Sequence, residues 1–316
     1  LPFVPAYPKL RRTTRDGYHY VGDELLHQTA FGRDPLEPIE ESYIPAILKQ
    51  QTTIQIKVVP CASEQIQSDA NVFNGDGIYV LDATTDEELR QAGELLKNRG
   101  LLKAVAGSAG FAEWLPDLLD LEKRPAKRPR SGGNMLVISG SVNEISLKQL
   151  SHAEANGFVA VTLPPEVLVS ENGVQSPCAL SAIARITELD EQRKNVILRS
   201  IEKFEDIEEC LRLGRRLGVD VKHLHLRIAE NLGQIAGQVL KRCGFKIVTV
   251  FGGDTLVAMV RALGWSGLLP WDEILPGITV SEVAGGEDEL LLITKAGGFG
   301  EGDALSRIKD LLRSTG

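Results

Sequence analysis

Aromatic residues make up only 5% of this 316-residue chain, and its formal net charge is −8. Few rings and no positive excess argue against stacking platforms or electrostatic tracks for nucleic acid, and against an anionic membrane surface as partner. No apolar run approaches the roughly 18 residues a membrane span requires, and no secretory signal is expected. The four cysteines, Cys61, Cys178, Cys210 and Cys243, form no C-x-x-C pair and have no histidine at zinc spacing. Free, buried thiols in a reducing, cytoplasmic setting are expected. The five histidines, His19, His27, His152, His223 and His225, share no metal-binding spacing. No Walker A loop and no dinucleotide fingerprint occur. The chain also lacks an initiator Met: Leu1-Pro-Phe-Val-Pro-Ala-Tyr-Pro8 reads like the middle of a protein, so the expectation is that a longer chain precedes it.

What is present is an ordinary globular composition, 43% hydrophobic and 25% charged. The length favours two domains. Residues 1–60 are rich in Pro, Gly and polar residues, with an Asp16-Gly17 turn signal before the strand-like Tyr18–Val21. Ser42–Gln51 predicts a short helix and Thr53–Val59 a strand. From Gly77 the pattern is α/β. Ile78–Leu81 predicts a buried strand ending at Asp82, a position that in open α/β sheets faces a ligand crevice. Thr85-x-x-Glu88 predicts a capping box opening a helix that closes at Gly100. Leu102–Ala106 predicts the next strand, leading into Gly107-Ser108-Ala109-Gly110. Residues 121–133, charged and holding two prolines and a Gly pair, predict a linker between a domain at 1–120 and a domain at 134–316.

In the second domain, Met135–Ile138, Phe158–Leu163, Asn195–Leu198, Phe245–Phe251 and Leu290–Thr294 predict strands, alternating with helices near 145–150, 180–189, 205–217, 225–243 and 254–263. The fold class is α/β: two domains with mainly parallel sheets flanked by helices, and an active-site cleft is expected between them. Trp265 and Trp271 read as core or rim packing, or as the edge of a nucleotide pocket.

Candidate chemistry collects at the strand–glycine–helix corners. Gly252-Gly253-Asp254-Thr255 offers backbone donors, a carboxylate and a hydroxyl where a helix starts. It reads either as a phosphate cradle with Asp254 toward Mg²⁺, or as a tight turn with Asp254 as N-cap. Gly297-Gly298-Phe299-Gly300 is a similar corner, with Lys295 just upstream; that lysine reads as a phosphate contact or as a surface lysine at a strand end. Ser139-Gly140-Ser141 is a third. Parallel sheets gather their C-terminal ends on one edge, so three corners in one sheet favour a shared ligand. In the first domain, Arg11, Arg12 and Arg15 suit a carboxylate-bearing substrate or form a solvated charge run. His19 lies near that turn, and Gly107-Ser108 reads as a carboxylate or hydroxyl site or as a plain turn.

Several stretches in order resemble the four-carbon acid sugar kinase family: Pro5–Gly17, Tyr20–Asp23, Asp34–Pro38, Ala106–Gly110, Val137–Ser141, Gly252–Thr255, Pro276-Gly277 and Lys295–Gly300. The resemblance implies an N-terminal acid-sugar domain, a C-terminal ATP domain, and phosphorylation of 3-oxo-tetronate, erythronate or threonate with ATP and Mg²⁺. It implies ATP contacts at Ser139, Gly252, Gly253, Asp254, Thr255 and Gly297; Gly140, Ser141, Lys295, Gly298 and Gly300 of the same corners complete the candidate nucleotide residues. Asp254 is also the candidate catalytic residue. Arg12, His19, Asp82, Gly107 and Ser108 are the candidate substrate residues. The chain departs from the family at Val142-Asn143, where Cys-Ser is usual, and at Ala296, where Ser is usual. The family's Asp-Asp-Leu-Thr-Gly-type motif, which lies upstream of the present Leu1, is absent. A homodimer is a further expectation. A non-catalytic nucleotide sensor of this fold and a sugar-acid lyase or aldolase are the competing readings.

Overall fold

The computed structural model describes residues 1–33, 38–60, 71–122, 132–285, 290–295 and 298–313. The chain divides into two compact units, Leu1–Pro125 and Ala126–Gly316. The predicted linker falls largely on 123–131, outside the described residues.

In the first unit, β1 (Pro2–Val4), β5 (Ile56–Pro60), β6 (Ile78–Asp82) and β7 (Ala106–Gly107) form an all-parallel sheet in the order β5-β6-β1-β7. A separate antiparallel meander holds β2 (Arg12–Arg15), β3 (Tyr18–Val21) and β4 (Glu24–Leu25). Arg15 pairs with Tyr18, so Asp16 and Gly17 form a two-residue hairpin turn with φ of +53° and +76°. That left-handed pair matches the twist of the strands, which is why Asp-Gly serves here. The helices are α1 (Ile44–Lys49), α2 (Asp86–Asn98), α3 (Ala109–Ala112) and α4 (Leu115–Leu118). Leu89, Ala92 and Leu96 of α2 pack on Val4, Leu81 and Phe111 to make the core.

Two expectations are corrected in this unit. The capping box at Thr85 is half formed: Thr85 caps the Glu88 N–H, but the Glu88 carboxylate accepts from Thr84 rather than from the Thr85 N–H. The strand expected over Leu102–Ala106 is confined to Ala106–Gly107, because pairing with β1 begins only there.

The second unit carries one seven-stranded sheet in the order β12-β13-β14-β11-β8-β10-β9. Its parallel strands are β8 (Met135–Ser139), β9 (Val159–Thr162), β10 (Val196–Arg199), β11 (Ile247–Phe251) and β14 (Leu291–Lys295). An antiparallel hairpin, β12 (Gly267–Leu275) and β13 (Ile278–Ala284), extends one edge. Met135, Leu136, Val137 and Ile138 are all fully buried, as helices on both faces require. One face is covered by α5 (Glu144–Ala155) and α11 (Ala304–Arg313). The other is covered by α6 (Pro165–Val169), α7 (Pro177–Glu191), α8 (Phe204–Arg216), α9 (Val221–Leu240) and α10 (Gly253–Leu263). Helices α9 and α10 approach closely: a Cβ added at Gly233 would lie 2.5 Å from Ala258 Cβ. Trp265 and Trp271 pack against opposite faces of the sheet, each partly buried.

Cys210 is buried, and burial pushes its thiol up to about 12; Cys178 is exposed on the first turn of α7, against the expectation of buried thiols throughout. Cys61 lies outside the described residues. Among the described residues no helix is long and apolar enough to cross a membrane.

Candidate nucleotide and sugar-acid sites

The register of the second sheet brings the predicted corners together. Phe251 pairs with Ser139 on one side and with Lys295 on the other, and Ser139 pairs with Arg199. The C-terminal residues of β10, β8, β11 and β14 therefore form one row, with the glycine segments just beyond it. The Gly140 N–H donates to the Phe251 carbonyl at 3.2 Å, locking the first corner to the second.

The glycines in this row have different causes. A Cβ at Gly140 would lie 2.2 Å from Thr255 Oγ1, so Gly140 is required by packing. Gly252 is the N-cap of α10 with φ +106°, a conformation that side chains resist. At Gly253 an added Cβ would meet no atom within 4 Å, so nothing in the protein's own packing calls for glycine there. The Gly253 backbone is exposed at the positive end of an 11-residue helix. Thr255 is buried beneath the corner.

Asp254 is not the N-cap; it is exposed in the first turn of α10. It lines a 610 Å³ groove between α9 and α10 with Glu230, Gln234, Lys241 and Arg261. A smaller cavity of 270 Å³ lies against the corner itself, bounded by Gly252, Gly253, Gly277, Thr279, Thr294 and Lys295.

Lys295 is not a surface lysine. It is 2% exposed, its Nζ donates to Ser146 Oγ at 3.2 Å, and Nζ sits 4.5 Å over the Phe251 ring. Burial pulls its ammonium down to about 7. The buried Ser139 Oγ has no hydrogen-bond partner among the described residues, while the Ser139 carbonyl accepts from Ser200. Ser141 Oγ caps the Asn143 N–H at 3.3 Å. Gly297 lies outside the described residues; Gly298 and Gly300 are described, and Gly300 has φ +82°. Among the described residues no group of three His, Cys, Asp or Glu side chains suits a metal ion.

Sequence reasoning missed Arg199 and Gln149. Arg199 is 4% exposed, pairs with Glu154 and Glu202, and donates to Thr162 Oγ1 at 2.9 Å. Its signal was the arginine ending an otherwise apolar strand. Helix α5 buries Ser146, Gln149, Leu150 and Ala153, whereas Ile145 is exposed. The polar residues at i and i+3 were the clue.

In the first unit the hairpin β2–β3 docks beside the sheet through paired Thr14 and Ala83 backbone bonds of 2.9 and 3.0 Å. His19 is 8% exposed, and its Nδ1 lies 3.1 Å from Thr14 Oγ1. Burial, helped by the Arg12 charge, pulls the imidazole down to about 4. Arg12 stacks over the Phe31 ring at 4.8 Å. Arg11 instead pairs with exposed Asp23. Asp82 accepts from the Gly17 N–H at 3.1 Å, and burial raises its carboxyl above the usual range. Val4 pairs with Gly107; Ser108 lies one position beyond the paired β1–β7 row, and Asp82 two positions beyond the paired β1–β6 row. The Ser108 hydroxyl donates to the Ala6 carbonyl and caps the Phe111 N–H, tying two strand exits together.

Comparison with known proteins fits this division. Residues 136–305 match a family model described as a nucleotide-binding C-terminal domain, and residues 1–115 match one described as a sugar-binding N-terminal domain. The two matches fall one on each unit, in that order along the chain. Among curated relatives, a D-threonate kinase of Salmonella typhimurium is 28% identical over 95% of this chain and 71% of its own. A 3-oxo-tetronate kinase of Methylobacterium radiotolerans is 25% identical over 98% of this chain and 73% of its own. A crystal structure from Salmonella typhimurium LT2 shares the fold with TM-score 0.70 at 20% identity, covering 97% of this chain and 72% of that one. The chain belongs to the four-carbon acid sugar kinase family.

Proposed function

We propose that this protein is an ATP-dependent kinase that phosphorylates a hydroxyl of a four-carbon sugar acid. The observation that carries the reading is Gly253, a glycine at a helix start with no internal packing reason to be glycine. Such a position suits close backbone approach by an anion. It stands beside a buried lysine and a buried serine hydroxyl with no partner among the described residues, which fits a polyphosphate. The nucleotide supplies the phosphoryl group. In this reading Gly252 and Gly253 hold phosphate oxygens through their N–H groups, Ser139 donates a hydrogen bond, and Lys295 neutralises charge. A magnesium ion accompanying the nucleotide would find in Asp254 the nearby protein carboxylate to hold it, since magnesium needs only one or two, and would neutralise phosphate charge. Catalysis in such an enzyme is positioning and charge neutralisation.

The acid is assigned to the first unit, where the Arg12 guanidinium suits a carboxylate through paired N–H donors. His19 is held neutral beside it. Asp82, Gly107 and Ser108 shape the same strand edge. Relatives named D-threonate, 3-oxo-tetronate and D-erythronate kinases support this substrate class. The test is sugar-acid-dependent ATP turnover by the full-length protein with those acids. A protein that binds nucleotide without such turnover is a sensor, and the kinase reading fails.

A further inference from the structure

The glycine corner after β14 is held by a buried side chain. Gln149 is fully buried on α5, and its Nε2 donates to three successive carbonyls, those of Phe299, Gly300 and Glu301, at 3.0, 2.9 and 2.9 Å. An amide nitrogen has two hydrogens, so three acceptors converge on two donors. The other end of the amide, Oε1, is buried with no partner among the described residues. An apolar side chain of this size would avoid that penalty. A buried polar atom left unsatisfied calls for a reason beyond stability.

The loop is clamped from its other side as well. The Phe299 ring lies against Gly277 in the β12–β13 turn, where an added Cβ would be 2.7 Å from it. Gly300 is pressed so close that a Cβ there would be 3.1 Å from Gln149 Nε2. In a trans peptide the carbonyl and the following N–H point in opposite directions. Turning the carbonyls of 299, 300 and 301 toward Gln149 therefore turns the N–H groups of Gly300, Glu301 and Gly302 away from it. Successive donors facing one way are the arrangement that receives an anion. Helix α5 itself starts just after the Ser139-Gly140-Ser141 corner, so Gln149 links that corner to the one after β14.

We propose that Gln149 is a positioning residue for nucleotide binding, fixing the peptide orientation of loop 299–302 so that the N–H groups of Gly300, Glu301 and Gly302 face the phosphates. The proposal rests on the nucleotide reading of the second unit.

The test is calorimetric titration of ATP into the full-length protein, wild type beside Gln149→Leu and Gln149→Glu, with melting temperatures and separate KM values for ATP and sugar acid. Removing the donors should raise the ATP dissociation constant and KM by about tenfold, the worth of one to two net hydrogen bonds. The sugar-acid KM and the melting temperature should move little. Gln149→Glu should be worse above neutral pH, because its carboxylate opposes three carbonyls. If Gln149→Leu does not fold, Gln149→Met supplies the same comparison. Wild-type ATP affinity in the folded variants, with only a lower melting temperature, overturns the proposal and leaves the nucleotide reading intact. A wild-type protein that binds no ATP overturns both.

Discussion

Replacing Gly140 by alanine tests how the first two glycine corners are joined. The new Cβ would sit 2.2 Å from Thr255 Oγ1, 3.5 Å from Thr255 Cβ and 3.4 Å from Leu232 Cδ2. Only the first of these is impossible, and Thr255 is 2% exposed, with little room to turn away. Overpacking of this kind costs about 1–3 kcal/mol. For a unit of this size that corresponds to a fall of about 2–12 °C in melting temperature, at about 2–4 °C per kcal/mol. The same shift would push the Ser139–Gly140 corner from the start of α10 and weaken nucleotide binding. The clash has a single source, so Thr255→Ala should rescue it. In a double-mutant cycle the two changes should couple favourably by about 1 kcal/mol or more. The assay is thermal and urea unfolding of the four proteins, with ATP titration on each. Additive losses, or a Gly140→Ala protein as stable as wild type, would refute the packing argument.

Lys295 and His19 give pH signatures. Lys295 titrates at about 7 when folded and near 10.5 when exposed, so between those values the unfolded chain holds the extra proton. Stability should therefore rise with pH across that window, by at most about 1.4 kcal/mol per unit. In Lys295→Met that slope should vanish and stability below pH 7 should increase; denaturant curves at pH 6 to 10 that stay parallel to wild type would contradict the burial cost. His19 is held at about 4 against an ordinary 6.5, so its contribution is lost as pH falls from 6.5 to 4. His19→Gln should flatten acid unfolding of the first unit in that range, and an unchanged acid midpoint would count against it.

The strands of the second sheet were readable because both faces are covered, which leaves near-continuous apolar runs such as Met135–Ile138. The Asp16-Gly17 turn was readable because its φ values admit few residues. Strand ends could be placed from sequence, but not their register, so the row of Ser139, Phe251 and Lys295 emerged only with the sheet. The surface alternative for Lys295 arose because charge signals exposure unless a partner is known, and Ser146 lies 149 positions away. Gln149 escaped for a related reason: a polar residue gives no apolar signal, yet the buried face of α5 sets Ser146 and Gln149 beside Leu150 and Ala153. Asp254 followed the sequence logic of an N-cap, yet Gly252 takes that position and leaves the carboxylate on the outer groove.

The central claim is that the exposed glycine start of α10 receives the phosphates of a nucleotide consumed in phosphorylating a sugar acid. The most direct measurement is ADP release by the full-length protein with and without D-threonate, D-erythronate or 3-oxo-tetronate, wild type beside Gly253→Ala. An added methyl meets no atom at Gly253, so stability should stay within about 0.5 kcal/mol. Turnover should depend on one of the acids, and the variant should show a raised KM for ATP at an unchanged melting temperature. Acid-independent or absent turnover in the wild type, or an unaltered ATP KM in Gly253→Ala, would contradict the account.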